Sequence, residues 1–142
     1  MDHARRASAL LTLCAALLGV ASKFYTGPAA DWVHHYAGGA LYEIVWIGFF
    51  ASLLPHTRPW HIPLAVLFGT TLIELLQLWH PPFLQMIRST FIGHALLGNT
   101  FSWWDFPHYI IGSSLGLVLL LFINKIVQEN TSQAERRVGG LP

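Results

Sequence analysis

An all-α membrane protein, a bundle of four transmembrane helices with a short amphipathic or re-entrant segment on its outer side, is the fold this chain predicts. Three observations carry that prediction. Hydrophobic residues make up 54% of the 142 residues and charged residues only 11%, with a mean hydropathy of +0.49. Several apolar runs approach the roughly 20 residues a helix needs to cross a ~30 Å hydrocarbon core. Gly-Pro, Pro and Pro-Pro breaks divide the runs from one another. Residues 1–123 suffice for a single bundle and leave no room for a soluble domain.

The first span is expected over 7–22, preceded by Arg5 and Arg6. Val20-Ala21-Ser22 has the small residues of a signal cleavage site, but the segment is expected to remain as an anchor. Cys14 lies inside this run, has no second cysteine to pair with, and is expected to be a buried structural thiol. Gly27-Pro28 makes a turn, after which Asp31 is placed to cap a second span over 32–54. Pro55 stops it. Thr57-Arg58-Pro59 reads as the cap and first turn of a third span over 60–79, ended by Pro81 and Pro82. Ser102-Trp103-Trp104-Asp105 has the pattern of a capping box and opens a fourth span over 103–123. Residues 124–142 form a polar tail expected to fray. Between the third and fourth spans, Phe83, Leu84, Ile87 and Phe91 share a helical face. The prolines before them and the Gly93, Gly98 and Asn99 around them argue against a fifth crossing, so this segment is expected to pack on the bundle.

Basic residues set the orientation. With four spans, Arg5, Arg6, Arg58, Lys125, Arg136 and Arg137 fall on one side, and Lys23 and Arg88 on the other. The bias predicts a multi-pass protein of the plasma membrane with both termini cytoplasmic and residues 81–101 outside. Trp32, Trp79, Trp103 and Trp104 then mark the outer interface and Trp60 the inner one.

Between Glu74 and Asp105 the chain sets Glu74, Gln77, His80, Arg88, His94, Asn99 and Asp105 among its apolar runs. Such groups are expensive in hydrocarbon and point to function. Thr70, Glu74 and Gln77 share one face of the third span; His35, Gly39 and Glu43 share one of the second; Asp105, His108, Tyr109 and Gly112 form a stripe on the fourth. Glu43 about 13 Å below His34, and Glu74 about 9 Å below His80, are expected at similar depth. The three faces imply an interhelical pocket open to the outer side, with Glu43, Glu74, Gln77, Arg88, Asp105 and His108 as its candidate residues.

Each has a structural alternative. Asp105 suits a helix N-terminus. Arg88 and Glu74 can form a fold-holding ion pair, since a buried carboxylate needs a partner. Gly112 and Gly116 form G-x-x-x-G, which lets two helices approach closely. His34, His35, His80, His94 and His108 collect toward the outer side but lack metal-ligand spacing, so no metal is expected, nor any cofactor. Ser113, Ser114, Ser89 and Thr90 have no base at a diagnostic spacing for nucleophilic catalysis. A net charge of +1 gives a nucleic-acid partner no electrostatic support.

The run from Ile73-Glu74-Leu75-Leu76-Gln77-Leu78-Trp79-His80 through Phe83-Leu84, Arg88-Ser89-Thr90, Gly93-His94 and Leu97-Gly98 to Phe101-Ser102-Trp103-Trp104-Asp105, with Tyr109 and Gly112, resembles the bacterial membrane family "domain of unknown function 2809". Some members are labelled ribosomal maturation YjgA-like, a role that net charge +1 does not support. The layout is also similar to VanZ-like proteins, associated with glycopeptide resistance at the cell envelope. The resemblance implies that Glu74, Gln77, Arg88 and Asp105 are a family signature. One departure stands out: Gly38-Gly39 precedes Leu41-Tyr42 where the family pattern has Gly-Asp, and Glu43, one turn deeper, is the candidate replacement. The expected function is a pocket that binds or modifies an envelope lipid or glycan headgroup, with membrane lipid as partner. The alternative is a non-enzymatic accessory subunit among the subunits of a larger membrane complex, contacting pigment or lipid.

Overall fold

The computed structural model describes residues 2–98 and 100–139; Met1, Asn99 and residues 140–142 lie outside it. Helix accounts for 79% of the chain, and no strand occurs among the described residues. The elements are α1 (Asp2–Ser22), α2 (Ala30–Trp32), a π-helix π1 (Val33–Ala37), α3 (Gly38–Leu53), α4 (His61–Leu76), α5 (Pro82–Arg88), α6 (Phe91–Leu97) and α7 (Asp105–Gly139). Two helical segments, His3–Ser22 and Asp105–Gln133, are long and apolar enough to cross a membrane, and only 11% and 22% of their apolar windows are buried. That is far less than a soluble protein's core helix would bury. The helices α3 and α4 are also apolar but only 16 residues each.

The hub is α3, which packs against α1, α4 and α7. Its inward face steps every four residues through layers of different chemistry. At one end Ile47 and Ala51 join Ile62, Val66 and Leu120 in one buried cluster, with Leu11 and Trp46 packed against it. One layer further, Glu43 meets Thr70 and Ser113. At the other end Gly39 lies against Tyr109, which reaches Glu74. The core is thus apolar toward one end of the bundle and polar toward the other.

Glycines set the spacing. A Cβ on Gly112 would lie 2.5 Å from the Ala40 carbonyl oxygen, and one on Gly116 would lie 2.5 Å from Ile47 Cδ1. The G-x-x-x-G pair is therefore where α3 and α7 cross closely, as its spacing predicts. Across the other face, Gly48 lets α1 approach at Thr12 and Ser8.

Several boundaries differ from expectation. Asp31 does not cap its helix: α2 begins two residues earlier than expected, with Ala29 at the cap in a left-handed conformation (φ 59), so Asp31 falls in the first turn, where the helix dipole still favours it. Thr57 does not cap α4. Pro55 and Pro59 fold 54–61 into consecutive turns, Thr57 N–H donating to Leu54 and His61 N–H to Arg58, and Trp60 precedes the helix. The third helix stops at Leu76, ahead of the prolines, and Pro82 instead opens α5 as its first residue. The expected frayed tail is helical to Gly139, because it has no proline or glycine before that point and gains a Lys125–Glu129 pair at 4.0 Å. Cys14 is exposed on α1 rather than buried, since the α3-facing side of α1 is taken by Ala15, Ser8 and Thr12.

Candidate functional site

Glu74, on the last full turn of α4, is 1% exposed and takes three donors. Gln77 Nε2 reaches its Oε2 at 2.9 Å from the next turn, and the Tyr109 hydroxyl reaches the same oxygen at 2.9 Å from α7. The backbone N–H of Ser102 donates to Oε1 at 2.8 Å. In a capping box that N–H would go to Asp105, so the expected box is not formed. The carboxyl of Glu74 instead ties α4 to the entry of α7, and Asp105 N–H closes onto the Ser102 carbonyl at 3.1 Å. A buried carboxyl satisfied by three donors is a rigid post.

One turn deeper, Glu43 is fully buried, and its Oε2 accepts from the Ser113 hydroxyl at 2.6 Å. Its Oε1 has no partner among the described residues. The two acids are therefore not at one depth: Glu43 meets Ser113 and Glu74 meets Tyr109, four residues apart on α7 and about 6 Å along its axis. The register that seats Gly112 on Ala40 dictates this offset.

Above and beside this post lies a cleft of about 1060 Å³ between α1, α3, α4, α6 and the start of α7. Gln77, Asp105, Tyr109, Thr100, Lys23 and His34 supply polar groups to its lining. Lys23 Nζ donates to the His34 carbonyl at 2.9 Å, and the His34 ring bonds the Tyr25 carbonyl at 2.6 Å, which fixes the end of α1 against π1. From α3, the Tyr42 hydroxyl donates to the Leu96 carbonyl at 3.0 Å and holds α6 over the cleft. Gly98, at φ 63, closes over Gln77: a Cβ there would lie 2.5 Å from Nε2. That left-handed backbone admits glycine readily and other residues with strain.

Of the six candidates, then, Gln77 and Asp105 line the cleft, and Glu74 stands behind it. Glu43 locks the α3–α7 crossing. Arg88 lies elsewhere and makes no ion pair with Glu74: its Nη1 and Nη2 donate to the carbonyls of Trp79 at 3.0 Å and Leu76 at 2.8 Å. The Leu76 carbonyl ends α4 and also takes the Trp79 N–H at 3.0 Å, while the Trp79 carbonyl lies in the turn beyond; the guanidinium fork binds both and ties that turn to the helix end. His108 is also apart. Its Nδ1 bonds the Trp104 carbonyl at 2.6 Å, and its ring stacks on Tyr36 with centroids 4.6 Å apart, Trp32 tilting against the other side. The side chain of His35 lies outside the described part of the structure.

Tyr109 and Ser113 are the functional groups that the sequence reading undervalued. Their signal was present: two hydroxyls four apart on one helical face, opposite two acids that each need a donor. Lys23 and His34 had no such signal, because their place at the cleft depends on the turn after α1.

The family model described as protein of unknown function DUF2809 matches residues 29–113, which hold every residue of the acid network and most of the cleft. No solved structure matches the chain.

Proposed function

This chain belongs to the DUF2809 family, and from that premise and the geometry of the cleft we propose a multi-pass membrane protein whose outer-side pocket binds or modifies the headgroup of a cell-envelope lipid or glycan. The observation that carries the reading is the cleft itself: about 1060 Å³, mostly apolar walls, and a few polar groups held by a buried carboxyl post. Sites for small ligands have this build.

A four-span arrangement is supported by the outward faces. Leu17, Phe68 and Val118 are 60%, 66% and 61% exposed on α1, α4 and α7, as lipid contact requires. The helical run from Ala30 to Leu53 is ~36 Å long, enough to cross, while α4 gives only ~24 Å. The short α4 is made tolerable by α5, whose Arg88 takes the place of water at its last carbonyls, so that no bare backbone meets lipid there. The six-to-two basic bias puts both termini in the cytoplasm and the cleft mouth outside.

Met86, Phe91 and Ile92, 70%, 89% and 68% exposed, form an apolar face on α5 and α6 and favour a second reading, an accessory subunit seated against partner helices. Lipid mass spectrometry on protein purified in mild detergent separates the two. The pocket reading predicts a co-purifying lipid or glycolipid near one per chain, lost in Asp105→Asn while folding is kept. No bound lipid above background, with firm attachment to a larger complex, would favour the accessory subunit.

A further inference from the structure

The polar mouth of the cleft and its apolar floor form one groove, and we infer that its ligand is a phosphate-bearing amphiphile lying along it, with a hydrogen-bond-donating headgroup at Gln77 and Asp105 and a hydrocarbon chain along the α1–α3 seam, facing α4. This rests on the headgroup reading above and deepens it. The groove follows α1 from Ala15 to Lys23, ~12 Å, and α3 from Gly38 to Val45, ~10 Å. Its chemistry changes along that length. Ala15, Ala16, Leu41 and Val45 line the deep part, and the hydroxyl of Thr70 beside them turns back onto the carbonyls of its own helix. The shallow part carries Lys23, His34, Gln77 and Asp105. On the α1 wall Gly19 puts no side chain into the groove, and a Cβ there would only reach ordinary contact with Leu41 Cβ at 4.0 Å.

Gln77 supplies the independent observation. It is 5% exposed and lines the cleft, its Nε2 is committed to Glu74, and its Oε1 is a buried acceptor with no partner among the described residues. Because the Glu74 bond fixes which end of the amide is which, Oε1 can only accept. A buried acceptor is costly until a donor meets it. Asp105 adds a second acceptor to the lining, and Lys23 a cation. An ammonium or hydroxyl group joined to a phosphate fits this set; a trimethylated ammonium, which has no N–H to give, does not.

The test uses the full-length protein, stripped of lipid and offered an equimolar mixture of phosphatidylethanolamine, phosphatidylglycerol and phosphatidylcholine with matched chains, bound lipid being counted by native mass spectrometry. Retention of at least one donor headgroup over phosphatidylcholine by roughly tenfold, the worth of one charge-assisted hydrogen bond, is expected. Whichever of the two dominates distinguishes the ammonium from the hydroxyl source. Gly19→Phe, which fills the slot, should lose all three lipids yet still bind soluble glycerophosphoethanolamine or glycerophosphoglycerol. Gln77→Met should flatten the preference, and if that variant does not fold, the parent's discrimination against phosphatidylcholine decides alone. Equal retention of phosphatidylcholine overturns the donor rule. Undiminished lipid in Gly19→Phe overturns the chain slot but leaves the headgroup reading standing. Binding of neither lipids nor soluble headgroups by the parent sinks both.

Discussion

Gly112→Ala asks the α3–α7 crossing for space it does not have. The new Cβ would lie 2.5 Å from the Ala40 carbonyl oxygen, 2.8 Å from Ala40 Cα and 2.8 Å from Glu43 Cβ. The first two are backbone atoms, which no rotamer change can move, so the helices must part. Overpacking of this kind costs about 1–3 kcal/mol. Parting also stretches the 2.6 Å bond from Ser113 to Glu43, worth about 1 kcal/mol. Replacing glycine within a helix returns about 1 kcal/mol, which leaves a net loss of about 1–3 kcal/mol. Two controls bracket it. Gly116→Ala meets the flexible tip of Ile47 and should cost less, while Gly69→Ala meets nothing within 4 Å and should gain up to about 1 kcal/mol. Thermal unfolding in mild detergent, followed by tryptophan fluorescence, should rank the melting temperatures Gly69→Ala highest, then Gly116→Ala, then Gly112→Ala. Equal stability of Gly112→Ala and Gly69→Ala would refute the close crossing on which the register of both acids depends.

Arg88→Ala leaves the Trp79 carbonyl without its donor, at about 1–3 kcal/mol, and takes one of two donors from the Leu76 carbonyl, which keeps the Trp79 N–H; Arg88→Lys should recover only part because an ammonium has no fork; a parent-like melting temperature in Arg88→Ala would show that the end of α4 needs no such partner. Ser113→Ala removes the donor to Glu43 and should destabilise by about 1–3 kcal/mol, whereas adding Glu43→Leu should restore most of the loss, because two apolar groups leave nothing unpaired; additive losses in that four-variant cycle would contradict the pairing. For topology, Ser89→Cys and Gln133→Cys in a Cys14→Ala background should react differently with an impermeant thiol reagent on intact cells, Ser89→Cys alone being labelled. Labelling of the Gln133 position alone would invert the orientation.

What could be read from the sequence was whatever follows from periodicity on one helix. The spacing of Thr70, Glu74 and Gln77 gave their common inward face, and Gly112 and Gly116 gave the close crossing, because both depend only on 3.6 residues per turn. Interhelical register is different. Glu43 and Glu74 looked level from their distances to the helix ends, but the contact of Gly112 on Ala40 sets them one turn apart. Partners that are backbone atoms were also illegible: Arg88 serves carbonyls, and Glu74 takes the Ser102 N–H, groups that every residue carries and no pattern marks. Arg88 therefore invited pairing with the nearest acid, although the two side chains serve opposite ends of the same turn. The π-helix over Val33–Ala37, which brings Tyr36 onto His108, had no composition cue at all.

The central claim is that a lipid occupies the groove between α1, α3 and α4, and photo-crosslinking tests it most directly. Protein held in vesicles containing a phosphatidylethanolamine with a diazirine on its acyl chain would be irradiated, digested and mapped by mass spectrometry. Adducts concentrated on the groove residues Ala15, Ala16 and Val20 on α1 and Leu41, Tyr42 and Val45 on α3, and reduced by Gly19→Phe, are the predicted result. Adducts spread evenly over outward side chains such as Leu17, Phe68 and Val118, with none enriched in the groove and no effect of Gly19→Phe, would contradict it.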